Sequence, residues 1–224
     1  MEKDLQLDVY LVTDRGLLKG RPIDDIVDAA VKGGATNVQL REKERSTREF
    51  IQVAKRVKDI LTPNTVPLII NDRLDIALAV FADGVHVGQS DMPYEIVRQL
   101  PPDKIIGLSV ESIKDAREAE AMDVDYLGVS PIYFTPTKTD LKRELGLDGL
   151  REIKSFSRHP LAGIGGLNAS NAVEVIRNGA DGVAVVSAIC AAEDPEAATR
   201  ELAYIVQNAK KGESGICRTL ANSV

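Results

Sequence analysis

The chain has 224 residues, enough for one substantial core and close to the usual size of a single-domain eight-fold α/β barrel, whereas two unrelated domains would be cramped. Its 28 Lys and Arg against 34 Asp and Glu give a net charge of -6, which argues against a general attraction to nucleic acid or anionic membrane, so any phosphate must be met by a local cluster of donors. Two cysteines, Cys190 and Cys217, are too few for a disulfide framework, and no Cys/His spacing resembles a zinc site. The charged N-terminal stretch does not read as a signal peptide, and no apolar run reaches membrane-spanning length. The expectation is a cytoplasmic, soluble protein.

Short β-branched or apolar runs alternate with amphipathic, Ala- and Glu-rich stretches, the pattern of successive βα units around a parallel sheet. In chain order the expected strands cover residues 8–13, 37–41, 67–71, 84–88, 105–110, 126–130, 160–164 and 182–187. Expected helices between them include residues 22–32, 47–60, 113–122, 169–178 and 195–210, with apolar residues at three- and four-residue steps. Lys32-Gly33-Gly34-Ala35 and Asn178-Gly179-Ala180-Asp181 read as helix stops running into strands. Eight such units predict an α/β fold, a single-domain (β/α)8 TIM barrel over residues 1–211, followed by a loose polar tail over 212–224. An open doubly wound sheet is the weaker choice, because the first turn, Thr13-Asp14-Arg15-Gly16, is not a Gly-rich dinucleotide fingerprint.

Barrel active sites lie where strands end and their following loops begin, so the strand ends are the places to search. The second strand ends in Gln39-Leu40-Arg41-Glu42-Lys43, where the two-residue pleat puts Gln39, Arg41 and Lys43 on one side if extended geometry persists through Lys43. An Arg fork and a Lys point charge suit a diphosphate. Taken alone, the segment reads more simply as a solvated charge run, since Glu42 and Glu44 interleave with the cations. The third strand ends in Asn71-Asp72 and the fourth is followed by Gln89-Ser90-Asp91. Asp72 and Asp91 fit Mg²⁺, which takes one or two carboxylates and completes its shell with water and phosphate. Each also fits a helix cap, at Arg73 and at Met92-Pro93 respectively. Ser109, ending the fifth strand, is a hydroxyl donor or another cap. After the sixth strand, the long loop Ser130-Pro131-Ile132-Tyr133-Phe134-Thr135-Pro136-Thr137-Lys138 offers hydroxyls and a charge for a phosphorylated substrate, or is a proline-stiffened surface loop. Gly163-Ile164-Gly165-Gly166 and Val186-Ser187, on the seventh and eighth strands, occupy the usual phosphate corner of barrels, though glycines there also make tight turns. His86 reads as a satisfied interior or supporting histidine, His159 lies at the wrong end of its strand, and Cys190 reads as packing.

In combination these segments resemble the thiamine phosphate synthase family. The matching stretches are Tyr10-Leu-Val-Thr-Asp14, Gln39-Leu-Arg-Glu-Lys43, Asn71-Asp72, Gly84-Val-His-Val-Gly-Gln-Ser-Asp91, Gly107-Leu-Ser109, Thr135-Pro-Thr-Lys138, Gly163-Ile-Gly-Gly166 and Val186-Ser187, in the same order and spacing. The resemblance covers nearly the whole inferred barrel. It implies that Gln39, Leu40, Arg41, Glu42, Lys43, Asn71, Ser109 and Lys138 hold a hydroxymethylpyrimidine diphosphate. It also implies that Asp72 and Asp91 bind Mg²⁺, and that Thr135, Thr137, Gly166, Val186 and Ser187 hold a thiazole phosphate. The implied catalytic set is Arg41, Lys43, Ser109 and Lys138. The implied reaction expels pyrophosphate to give a pyrimidine-stabilised cation, which the thiazole nitrogen captures. No protein nucleophile is needed, in keeping with the absence of a convincing Ser-His-Asp or Cys-His set.

Two residues depart from the family pattern. Ser130 stands where Gly is common, and Phe134 where Pro is common. Partners are expected to be these small molecules, with no nucleic acid or membrane; a homo-oligomer has no residue pattern that fixes its number. Three rivals share the fold. A thiazole tautomerase would need an acid/base residue, for which His86 is the candidate, but no diphosphate clamp. A catalytically silent phosphate-binding barrel has no use for the metal carboxylates, and a sugar-phosphate isomerase or lyase has none for the match over residues 135–138.

Overall fold

The computed structural model describes residues 5–134 and 144–212. Eight parallel strands close into a barrel in sequential order: β1 (Val9–Val12), β2 (Asn37–Leu40), β3 (Leu68–Asn71), β4 (Gly84–Val87), β5 (Ile105–Val110), β6 (Tyr126–Val129), β7 (Leu161–Ile164) and β8 (Gly182–Val185). Each lies within an expected strand. Five of the expected ends, those of β1, β2, β4, β6 and β8, run one or two residues further, because the chain leaves the ladder where the loops at the C-terminal rim begin. Gly212 is the only residue of the expected tail among those described, and Thr135, Thr137 and Lys138 lie outside them.

Outside the barrel lie α1 (Ile23–Gly33), α2 (Thr47–Leu61), α3 (Leu74–Ala79), α4 (Tyr94–Val97), α5 (Ile113–Ala119), α6 (Gly146–Phe156), α7 (Ala172–Arg177), α8 (Ser187–Cys190) and α9 (Pro195–Lys210). The sequence reading gave no bounds for α3, α4 or α8, of which it placed only the starts, and did not include α6. Three of these have four to six residues, too short for a helical period to appear. The fourth, α6, buries Leu150 and Ile153, a three-residue step hidden by reading the segment as the end of a long loop. Local signals explain the rest. Ser46 and Glu49 form a reciprocal capping box at the start of α2, and Gly34, at φ 101°, stops α1 in the left-handed region.

The pleat divides the apolar residues into two cores. Outward positions such as Leu11, Val38, Leu40, Ile70, Val85 and Leu108 pack beneath the helices. Inward positions form a smaller cluster that fills the barrel, including Tyr10, Val12, Ile69, Ile105, Tyr126, Ala162 and Ala184. At the opposite rim, three aspartates precede strands and tie neighbouring strands together. Asp83 accepts from Leu68 N–H, Asp125 from Ile106 N–H and Asp181 from Leu161 N–H, at 2.7–2.8 Å. These carboxylates are structural, which leaves the acidic groups of the C-terminal rim for chemistry. No helix among the described residues is long and apolar enough to cross a membrane.

Candidate active site

A cavity of about 750 Å³ opens at the C-terminal rim, lined from all eight strands. Of the residues expected from sequence, Gln39, Arg41, Lys43, Asn71, Asp72, Asp91, Ser109, Gly166, Val186 and Ser187 line it. Two others do not. Leu40 is fully buried in the layer under the helices, because the pleat turns it away from Gln39 and Arg41. Glu42 faces Arg15, which donates to both of its carboxylate oxygens at 2.5–3.1 Å, so its side chain is buried as a brace for the loop. Any contact that residues 40 and 42 make with a ligand is therefore through backbone. The solvated-run reading holds for Lys43 and Glu44, which are exposed, but not for Arg41 and Glu42, which are drawn in by carboxylate and guanidinium partners.

Arg41 donates to Asp14 at 3.0 Å, and Lys43 to Asp72 at 2.6 Å. Asp72 also accepts from Asn71 Nδ2 at 2.8 Å. It is not a helix cap, since α3 begins at Leu74 without a side-chain cap bond. Instead the backbone turns sharply at Asp72, at φ 60°, with Arg73 N–H donating to Asn71 C=O at 2.7 Å. That is the rare, strained form of γ-turn, and strain held in a non-glycine residue is concentrated at functional sites. Asp91 is no helix cap either: α4 begins at Tyr94, and Asp91 accepts from Gly88 N–H at 2.7 Å. Ser109 stays in β5 while Ser112 caps α5.

Burial raises Asp72 above its ordinary value against the opposing pull of Lys43, and the neighbouring Asp91 carboxyl adds to the rise. The two aspartates therefore lie within reach of each other in a partly dehydrated corner, where a cation relieves their repulsion. No group of three or more Asp, Glu, His and Cys side chains able to hold a metal occurs among the described residues, so a transition-metal cage has no support there. A two-carboxylate corner beside cations suits a hard ion that keeps water and phosphate ligands.

Across the cavity, Gly165 and Gly166 have φ of 102° and 65°. A Cβ on Gly166 would sit 2.8 Å from Phe134 O and 2.9 Å from Tyr133 Cβ. Both the backbone conformation and the close approach of the β6 loop demand glycine here. The tight-turn reading is thus correct as far as it goes, and the same backbone faces the cavity. Ser130 lines the cavity and is buried, whereas Phe134 is largely exposed.

The cavity also contains residues that the sequence reading did not select. Tyr10 and Tyr126 form its floor, and Asp14, Gln89 and Glu111 stand on its rim. Gln89 donates to Ser109 C=O at 2.6 Å. Tyr10 lies two residues before Val12 on one face of β1, so the pleat signal that picked out Gln39 and Arg41 was present for it too. Both nitrogens of His86 are hydrogen bonded inside the barrel, which matches an interior histidine. His159 bonds Ala119 C=O away from the cavity, and burial pushes the Cys190 thiol up to about 11.

Comparison with known proteins gives this geometry its family. Residues 9–189 match the model of thiamine monophosphate synthase. The chain belongs to the thiamine monophosphate synthase family. Relatives named thiamine-phosphate synthase include one from Albidiferax ferrireducens, 52% identical over 201 residues, covering 89% of this chain and 92% of the relative. Another, from Clostridium novyi, is 48% identical over 203 residues, covering 90% of this chain and all of its own. The solved structure of thiamine phosphate pyrophosphorylase from Pyrococcus furiosus superposes with a TM-score of 0.85 at 41% identity, covering 92% of this chain and 98% of that one. The cavity at the C-terminal rim lies where barrel enzymes carry their active sites.

Proposed function

We propose that this synthase joins hydroxymethylpyrimidine diphosphate to a thiazole phosphate, plain or carboxylated, with Mg²⁺ held by Asp72 and Asp91. The observation that carries the metal reading is the pairing of those carboxylates, one strained and one braced by Gly88 N–H, beside Lys43. When bound, Mg²⁺ would neutralise charge on the departing diphosphate.

The chain's own residues account for the remaining work. Arg41 and Lys43 offer a planar fork and a mobile ammonium to phosphate oxygens, and each exchanges a carboxylate partner for substrate. Lys138, Thr135 and Thr137, outside the described residues, are proposed from the family resemblance to complete the clamp and hold the thiazole phosphate. Gly166, Val186 and Ser187 present backbone and a hydroxyl to the same phosphate. The C–O bond to the diphosphate breaks with its electron pair leaving on pyrophosphate. The thiazole nitrogen then supplies a lone pair to the methylene carbon, so the protein needs orientation and charge rather than a nucleophile. Tyr10, Tyr126, Ala162 and Ala184 exclude water from the floor where the cation forms.

Chelation is the direct test of the metal. After dialysis against EDTA, pyrophosphate release from the two substrates should fall to background and return on adding Mg²⁺. Full activity in chelator would remove the metal from this reading and leave Arg41 and Lys43 as the whole visible clamp.

A further inference from the structure

Beneath the diphosphate clamp a continuous hydrogen-bonded chain runs from Gln39 to Ser109. Gln39 Nε2 donates to Tyr10 Oη at 3.0 Å, Tyr10 Oη is 2.7 Å from Tyr126 Oη, Tyr126 Oη is 2.9 Å from His86 Nδ1, and His86 Nε2 is 2.8 Å from Ser109 Oγ. We propose that this chain has a fixed direction, with Tyr10, Tyr126 and His86 acting as positioning residues that commit the Ser109 hydroxyl to donating its proton into the cavity.

Counting hydrogens gives the direction. A phenol has one hydrogen to donate, and an amide nitrogen only donates. With Gln39 donating to Tyr10, the single Tyr10 hydrogen passes to Tyr126, and the single Tyr126 hydrogen passes to His86 Nδ1. A neutral imidazole that accepts at Nδ1 carries its proton on Nε2, and it donates that proton to Ser109 Oγ. The remaining hydrogen in the chain is that of Ser109, at the cavity end. Were the Gln39 amide turned to present its oxygen, every link would reverse, and the Ser109 proton would be consumed by His86. The direction therefore originates at one amide on β2 and is delivered four links away on β5.

Two features show that the barrel is built around this chain. The first is burial: Gln39, Tyr10, Tyr126 and His86 are all under 9% exposed, so an unmade bond among them would be costly. Burial also raises both phenols above their ordinary pKa, which keeps each a neutral link with one hydrogen. The second is space. Strand register sets Gly107 beside His86 on one side and beside Tyr126 on the other. A Cβ there would lie 2.2 Å from Tyr126 Cζ and 2.5 Å from His86 Nδ1, and one on Gly128 would lie 3.0 Å from His86 Cε1. Two inward positions are left without side chains, and the His86 to Tyr126 bond crosses the room so made.

The consequence for recognition rests on the synthase reading. With one Oγ lone pair taken by His86, the proton that Ser109 presents is directed to an acceptor, such as a diphosphate oxygen or an unprotonated ring nitrogen.

The direction itself is tested without any turnover. The chain has two histidines, so long-range ¹H–¹⁵N correlation spectra of histidine-labelled protein contain two imidazoles, His86 being assigned by its loss in His86→Gln. The expected spectrum shows His86 protonated at Nε2 and bare at Nδ1. A His86 protonated at Nδ1, or at both nitrogens, overturns the proposal. Kinetics supply the coupling: Tyr126→Phe should lower kcat/KM about tenfold in the wild-type background, the worth of one hydrogen bond, but less than roughly twofold in Ser109→Ala. Losses that multiply in the double variant would also contradict it. Finally, binding to Ser109→Ala separates the two acceptors. Weakened inorganic pyrophosphate points to a diphosphate oxygen, weakened hydroxymethylpyrimidine to a ring nitrogen, and loss of neither shows that Ser109 donates to no substrate atom.

Discussion

Asp91→Ala should release pyrophosphate on the order of 10²- to 10³-fold more slowly than the unaltered chain, the loss typical of removing a charge-stabilising group aimed at a developing anion. Its fold should survive. Asp91 lies in the loop between β4 and α4, caps no helix, and its described role there is to accept Gly88 N–H at 2.7 Å. Losing one such bond costs about 1 kcal/mol, or roughly 2–4 °C in Tm for a chain of this length. Thermal unfolding followed by circular dichroism, run beside the pyrophosphate assay, separates the two effects. An unfolded variant would make the aspartate a structural brace, and a folded variant with full activity would take it out of the metal site.

Gly107→Ala should strike both stability and rate. The glycine appears unremarkable in sequence, yet the new Cβ would sit 2.2 Å from Tyr126 Cζ, 2.3 Å from Tyr126 Oη and 2.5 Å from His86 Nδ1. Neither neighbour is a flexible chain end: both are rings held from the other side, Tyr126 by Tyr10 and His86 by Ser109. Overpacking of this kind costs about 1–3 kcal/mol, and relief requires breaking the bond between the two rings. We expect a Tm lower by several degrees and a kcat/KM lower by at least about tenfold, since Ser109 loses its fixed partner. A variant with unchanged Tm and rate would show that the rings move aside freely and that their hydrogen bond contributes nothing.

The barrel was legible because its signals are periodic. Each of the eight strands falls within a run of β-branched or apolar residues; Gln39, Arg41 and Lys43 all line the cavity, although β2 ends at Leu40 and the pleat itself does not carry as far as Lys43. That argument also turns Leu40 and Glu42 away, so their side chains leave the cavity even though the family motif runs through them. Short helices such as α3 and α8 carry too few residues for a period, so only their starts, and not their extents, were legible. The polar floor was less legible still. A tyrosine inside a strand reads as core, and whether its hydroxyl meets a histidine depends on register across β4, β5 and β6, with Gly107 as the empty position between them. No local pattern encodes that meeting. Asp72 and Asp91 were equally good as caps on paper, and only the starting points of α3 and α4 separate the readings.

The central claim is that this barrel makes thiamine phosphate from two phosphorylated heterocycles. The most direct measurement is to give purified protein both substrates with Mg²⁺ and to quantify thiamine phosphate and pyrophosphate together. The account predicts the two products in a one-to-one ratio, with neither formed when one substrate is omitted. Well-folded protein that forms neither product from both substrates would contradict it.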